Sequence, residues 1–178
     1  MRKWFILVIA ILLFSAGCST ITPFEREEKM PPEIINVMIF YPAKTEKGGQ
    51  VVGEPHEIPK PEQGSVAAEA LRELIKGELQ KDFQVIPLIP KNTKVIKVTV
   101  KDGLATANFS REILNGKAKN AREEYLGIGA IVSTLAEFED IEKVKIQVEG
   151  REKGKINGKS IEKWWGFGGL KNQPFVLQ

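Results

Sequence analysis

The stretch from Tyr125 to Gly150 constrains the fold most, because its hydrophobic pattern changes from a helical to a strand period within a few residues. The first half carries apolar residues every three or four positions, which predicts one buried stripe on a helix. The second half alternates apolar and polar residues, which predicts a strand with one wet side. The chain therefore needs a helix laid across a sheet. The predicted stripe is Tyr125, Ile128, Ile131, Val132, Leu135 and Phe138, and the buried side of the strand is Val144, Ile146 and Val148.

Two glycines lie beside the predicted stripe. Gly127 and Gly129 each weaken a helix by about 1 kcal/mol relative to alanine. We therefore expect the helix to approach a sheet closely at these positions.

A β-hairpin is predicted from the dipeptide Asp102-Gly103, which favours a two-residue turn between strands at Lys94–Val100 and Leu104–Phe109. The register set by this turn brings all the apolar residues to one side and the polar residues to the other. The apolar pairs are Val100 with Ala105, Val98 with Ala107 and Ile96 with Phe109, and the polar pairs are Thr99 with Thr106 and Lys97 with Asn108.

The elements before the hairpin are also marked by local signals. Ile34–Tyr41 is apolar on both faces and predicts a central strand. The prolines in Gln50–Ile58 and at Pro59 restrict the next strand to a sheet edge. Ser65 and Gly77 are typical of the two caps of a helix.

The N-terminus resembles a bacterial lipoprotein signal. Arg2 and Lys3 precede an apolar run that ends in Ser15-Ala16-Gly17-Cys18, and the run is short for a membrane span. We expect residues 1–18 to be the signal peptide, Cys18 to be the site of lipid attachment by acylation such as palmitate, and residues 19–33 to be a flexible tether. The alternative is a secretory signal or membrane anchor with an incidental cysteine.

Charge and residue types exclude several classes of function. Without Arg2 and Lys3 the chain has 24 basic and 23 acidic residues, so it carries no nucleic-acid footprint. Cys18 is the only cysteine, which excludes disulfides. Gly127-x-Gly129 and Gly166-x-Gly168 lack the strand-to-helix context of a nucleotide loop.

The sequence also offers no set of residues for catalysis or for binding a metal. His56 is the only histidine, and its position between Pro55 and Glu57 favours a surface residue. One histidine gives no usual zinc or copper site, so we expect no metal, no cofactor and no catalytic residue. Glu123 and Glu124 point about 100° apart on a helix and cannot flank one glycosidic bond.

In their order and spacing, five short segments together resemble the GerMN domain of sporulation and spore germination proteins. The resemblance extends from about Ile35 to Gly158. It is carried by Val37–Tyr41, Ala70–Gly77, Ile89–Thr93, Val98–Ala105 and Ile131–Leu135, and it is completed by Val144–Gly150.

The resemblance implies an α+β fold, a two-layer α/β sandwich with a mostly antiparallel sheet covered on one face by two helices, similar to ring-building motifs. The expected domain is 34–158, followed by an aromatic and Gly-rich tail at 159–178. The implied function is that of a non-catalytic scaffold module of an envelope complex in sporulation or germination. With the lipid signal, it would be extracytoplasmic and anchored to the bacterial cell membrane.

Two groups of residues are candidate interaction sites. Lys97, Lys143 and Lys145 are expected on the uncovered sheet face, which either docks an envelope protein or a second copy, or is simply solvated. Trp164, Trp165 and Phe167 either cap the core or bind a partner. An alternative function follows from the latter, namely a protein that binds or modifies cell-wall glycan.

Overall fold

A computed structural model describes residues 32–78 and 83–177. The signal sequence, Cys18 and residues 19–31 of the expected tether lie outside the described residues. Pro32–Gln178 forms one compact unit with a continuous hydrophobic core, so we expect this unit to fold when expressed alone. Residues 34–158 and 159–177 both lie within it. In the described ranges, no helix is long and apolar enough to cross a membrane.

The unit contains two α-helices, one short 3₁₀ helix and nine strands in the part that the structure describes. In chain order they are β1 (Ile34–Thr45), β2 (Gly48–Pro59), α1 (Val66–Lys76), β3 (Gln84–Val85), β4 (Val95–Lys101), β5 (Leu104–Phe109), the 3₁₀ helix (Arg111–Asn115), α2 (Ala121–Ala136), β6 (Lys143–Val148), β7 (Lys155–Ile156), β8 (Lys159–Ser160) and β9 (Phe175–Val176).

The α+β class is confirmed, and the strands are divided between two sheets and a short hairpin. The first sheet has the order β2-β1-β3, the second has the order β4-β5-β6-β9, and β7 pairs with β8. All pairings are antiparallel except β5 with β6. This pair is parallel because α2 forms the crossover between the two strands. The helices pack on each other, and each contacts both sheets.

β1 and β2 form a hairpin of twelve residues on each side, longer than the sequence predicted. β1 is central and β2 is an edge strand, as predicted. The Pro42 carbonyl accepts from the Ile86 N–H, so this carbonyl points towards β3 and away from β2. Because backbone polar groups alternate in direction along a strand, those of Met38, four residues earlier, also point away from β2. Met38 pairs with Pro55. Pro55 therefore lies where no N–H is needed for the pairing.

α1 begins and ends at the predicted caps. The Ser65 hydroxyl accepts from the Ala68 N–H at 3.2 Å, and Gly77 adopts the left-handed conformation with φ 67°. Leu71 and Leu74 lie on its buried face.

The β4–β5 hairpin has the predicted register except at Ile96. Val95, not Ile96, pairs with Phe109, and a bulge interrupts the ladder before Lys97. Val95 is 6% exposed and Ile96 is 48% exposed. The smaller Val95 takes the buried position, and the extra residue is extruded at the edge of the sheet.

The buried stripe of α2 differs from the predicted one at its first position. Tyr125 is 58% exposed, and Glu124 is fully buried in its place. Glu124, Ile128, Ile131 and Leu135 form the true stripe, while Val132 and Phe138 are partly buried against the core. The prediction was wrong at Tyr125 because hydrophobicity ranked it above its charged neighbour. In β6, Val144, Ile146 and Val148 are all buried as predicted.

Candidate functional site

The exposed face of the second sheet carries four lysines, which we call the lysine face: Lys97, Lys101, Lys143 and Lys145. The strand register arranges this face in rows. Neighbouring strands are about 4.8 Å apart, so side chains within a row lie side by side. The rows are Lys97, Asn108 and Gln147; then Thr99, Thr106 and Lys145; then Lys101, Leu104, Lys143 and Val176.

Only one of the four lysines has an ion pair within the described residues. Lys145 Nζ lies 3.3 Å from Glu152 Oε1, which also accepts from Gln147 Nε2 at 3.2 Å. The Gln147 hydrogen bond and, after it, Lys145 hold the pKa of Glu152 below its usual range. Lys97 and Lys143 are exposed. The lysine face can therefore offer uncompensated positive charge to a partner.

His56 is mostly buried, so the prediction of a surface histidine is wrong. Its side chain is 11% exposed and lies beside Tyr41 and Glu54, which are 0% and 2% exposed. The Tyr41 hydroxyl and His56 Nε2 are 3.1 Å apart, and Nε2 lies 3.8 Å from Glu54 Oε2. His56 alternates with exposed Pro55 and Glu57, so its side of the edge strand faces the interior.

Burial and, after it, the nearby Glu73 carboxylate raise the pKa of Tyr41, which keeps the phenol neutral. A neutral phenol and an imidazole form a structural hydrogen bond. Among the described residues, no three His, Cys, Asp or Glu side chains are grouped so that they could hold a metal ion.

The C-terminal segment packs against the core through one buried carboxylate. Glu124 Oε2 accepts from the N–H groups of Trp165 and Phe167, both at 3.0 Å. Its Oε1 accepts from the Gly169 N–H at 2.6 Å. We call this arrangement the Glu124 clasp. It compensates a fully buried charge with three main-chain donors.

Trp165 fixes the same segment through its ring. The indole Nε1 donates to the Ile113 carbonyl at 2.6 Å, and the ring stacks on Trp164 with a centroid distance of 5.4 Å. A Cβ on Gly116 or Gly127 would overlap the Trp165 ring. Gly127 therefore makes room for a tryptophan and not for a sheet, which corrects the sequence interpretation. Gly129 does face a strand, since a Cβ there would lie 3.4 Å from the Val51 side chain.

The candidate aromatic residues thus differ in accessibility. Trp164 is 3% exposed, Trp165 is partly buried and Phe167 is 47% exposed. The segment caps the core and presents one ring to solvent, so its geometry does not favour a stacking platform for glycan. Sequence reasoning missed Glu124, although its helical spacing to Ile128, Ile131 and Leu135 placed a charge on the apolar stripe.

The family model described as "Germane: Sporulation and spore germination" matches residues 38–154, which is more than half of the chain. The chain belongs to this family. It is similar to the spore germination protein GerM of Bacillus subtilis, with 34% identity over 112 residues. That match covers 60% of this chain and 29% of GerM, so the chain matches less than one third of its relative.

Two solved GerMN structures match this chain. The tandem GerMN domains of GerM from Bacillus subtilis are 29% identical with a TM-score of 0.52, covering 71% of this chain and 45% of that one. The first GerMN domain of the same protein is 28% identical with a TM-score of 0.49, covering 70% and 93%. The match of the family model to residues 38–154 confirms the GerMN family predicted from the sequence.

Proposed function

We propose that this member of the GerM family is a non-catalytic interaction module of an envelope complex in sporulation or germination. In this proposal the module lies outside the cytoplasm and is anchored to the cell membrane by a lipid on Cys18. Family membership and the lipoprotein-like N-terminus support it. The single observation that carries it is the lysine face, an exposed and positively charged surface on the second sheet.

The composition of the lysine face defines the kind of contact it can make. It is polar and positively charged, so it suits an acidic surface on an envelope protein or on a second copy. Contacts of this kind give specificity and fast association more than high affinity, and they weaken with salt. We therefore propose a modest, salt-sensitive interface and not an obligate hydrophobic one.

Charge reversal tests the docking surface. We expect Lys143→Glu with Lys145→Glu to weaken self-association or binding to purified envelope proteins about tenfold or more at low salt, and less at high salt. The measurement is sedimentation or surface binding at two salt concentrations, after thermal unfolding has shown an intact fold. The matched control is Lys153→Glu with Lys155→Glu, two exposed lysines outside this face. Equal association of both double variants and the unchanged protein would exclude Lys143 and Lys145 from docking.

The lipid anchor is tested independently. We expect Cys18→Ser to leave the unit Pro32–Gln178 folded and to stall processing or release the protein from the membrane fraction. The measurement is cell fractionation together with the mass of the mature N-terminus. A variant that stays in the membrane fraction after its signal is removed would contradict the anchor.

A further inference from the structure

A cleft of about 390 Å³ lies between α1 and the segment that leads into β4. Four cationic side chains line it: Arg72, Lys76, Lys91 and Lys94. We call it the basic cleft. It shares no residue with the lysine face.

The positive charge of the basic cleft is only partly compensated. Arg72 pairs with Glu69 and Lys76 pairs with Glu73, each one turn away on α1. Lys91 and Lys94 make no ion pair with any residue in the described ranges. The cleft therefore holds two positive charges that lack a local counter-charge.

A buried hydroxyl in the same cleft also lacks a partner. Thr93 lines the basic cleft and is 6% exposed. Its hydroxyl makes no hydrogen bond within the part of the chain that the structure describes, whereas its main-chain N–H donates to the Pro90 carbonyl at 2.9 Å. Buried polar groups are nearly always hydrogen-bonded, so an unpaired one calls for a partner.

We propose that the basic cleft binds the phosphate group of an organic phosphate. A phosphate offers several acceptor oxygens, which match two unpaired ammonium groups, the Thr93 hydroxyl and the planar guanidinium of Arg72. Ile75 and Val95, which are 7% and 6% exposed, supply an apolar wall for the organic part.

An adjoining groove extends the proposal to two sources of phosphate. This apolar groove of about 220 Å³ shares Ile75 and Lys91 with the basic cleft, and its other lining residues include Leu74, Val85 and Ile86. An anionic phospholipid could occupy both spaces, with its headgroup in the cleft and apolar atoms in the groove. A soluble phosphate ester would use the cleft alone. Phosphate recognition is common to both.

The first experiment titrates the isolated unit Pro32–Gln178 with glycerol phosphate and with inorganic phosphate, followed by NMR and calorimetry. We expect saturable binding that Lys91→Gln with Lys94→Gln weakens about tenfold or more, because two charge-assisted contacts are lost. Lys153→Gln with Lys155→Gln removes the same charge elsewhere and should bind like the unchanged unit. The absence of saturation, or an equal loss in both double variants, would overturn the proposal.

The second experiment tests Thr93 with two substitutions. Thr93→Val replaces the hydroxyl with a methyl group of similar volume, and Thr93→Ser keeps a hydroxyl. If Thr93 donates to phosphate, Thr93→Val weakens binding several-fold with no loss of thermal stability, and Thr93→Ser retains binding. If Thr93→Val binds phosphate as tightly as the unchanged unit, the hydroxyl has no part in the site and the proposal fails in this form.

The third experiment separates the two sources. Vesicles of phosphatidylglycerol and of phosphatidylcholine are sedimented with the unit and with its Ile86→Ser variant. Retention on phosphatidylglycerol alone, reduced by Ile86→Ser and by the Lys91 and Lys94 variant, supports a phospholipid. Binding of glycerol phosphate without retention on vesicles supports a soluble ester. Lys143→Glu with Lys145→Glu should leave phosphate binding unchanged, so the proposed docking function and the basic cleft can fail separately.

Discussion

The body of the domain and its C-terminal segment both bury apolar side chains in one core, Ile161 and Leu170 among those of the segment, but the segment is also held by a buried carboxylate. In the body, helices and sheets bury apolar side chains at regular spacing, as Ile128, Ile131 and Leu135 show. In the segment after residue 154, where the family match ends, main-chain N–H groups bind one carboxylate and a tryptophan occupies space left by two glycines. Periodic patterns therefore specify the body, whereas a few single positions fix the path of the segment.

Removal of the Glu124 clasp should have the largest effect on stability. Glu124→Ala leaves three main-chain donors without a partner, and we expect it to lower the free energy of unfolding by about 3 kcal/mol. In the isolated unit Pro32–Gln178 the only tryptophans are Trp164 and Trp165, so their fluorescence reports release of the segment directly. Urea unfolding followed by fluorescence and by circular dichroism is the measurement.

The neighbouring residue supplies the control for the clasp. Glu123 is only half-buried, and it accepts from the Lys119 N–H at 2.8 Å near the start of α2. Glu123→Ala should therefore lower stability by less than about 1 kcal/mol and leave the tryptophan fluorescence unchanged. Similar effects of the two variants would mean that the Glu124 clasp adds little to the apolar packing of the segment.

Two glycines on one helix provide the next test. Gly127→Ala places a Cβ against the Trp165 ring, and we expect a loss of about 2 kcal/mol after its gain in helix propensity. Gly129→Ala makes only a close contact with Val51 and should be neutral or stabilise by up to about 1 kcal/mol. Thermal unfolding of both variants is the measurement. A destabilising Gly129→Ala together with a neutral Gly127→Ala would contradict the conclusion that Gly127 makes room for Trp165.

Tyr41 provides a test within the body of the domain, and its expected effect on stability is the smallest. Tyr41→Phe removes one hydrogen bond to His56 and should lower stability by about 1 kcal/mol at neutral pH. Because burial raises the pKa of Tyr41, its contribution is fully present below the ordinary tyrosine pKa of about 10 and is lost as the pH rises further towards the folded value.

The expected result is an alkaline decrease in stability that is smaller in Tyr41→Phe than in the unchanged unit. Unfolding in urea at pH 8, 10 and 11 measures it. An identical pH dependence in both proteins would show that Tyr41 does not contribute to alkaline unfolding.

Local sequence signals were sufficient to predict much of the fold. They failed where the packing of a single residue decides the structure. The caps of α1, the β4–β5 turn and the alternation in β6 act over a few residues, so the sequence shows them directly. The bulge at Ile96 depends on the fit of Val95 against Phe109, and a pattern of alternating residues cannot reveal it. Lys91 and Thr93 belong to the segment Ile89–Thr93 of the family resemblance and Lys94 to the predicted hairpin strand, and only the structure brings them beside Arg72 and Lys76.

The Glu124 clasp recognises conformation and not side-chain identity. Its three donors are main-chain groups of alternate residues, and Gly166 and Gly168 between them have φ of 124° and 91°, where other residues are strained. The carboxylate and these two glycines are therefore fixed requirements of the turn, and so is Gly169, where a Cβ would lie 2.3 Å from the Ile128 side chain. The side chain at Phe167 is not one of them, so this exposed position can acquire a new surface chemistry while the segment stays in place.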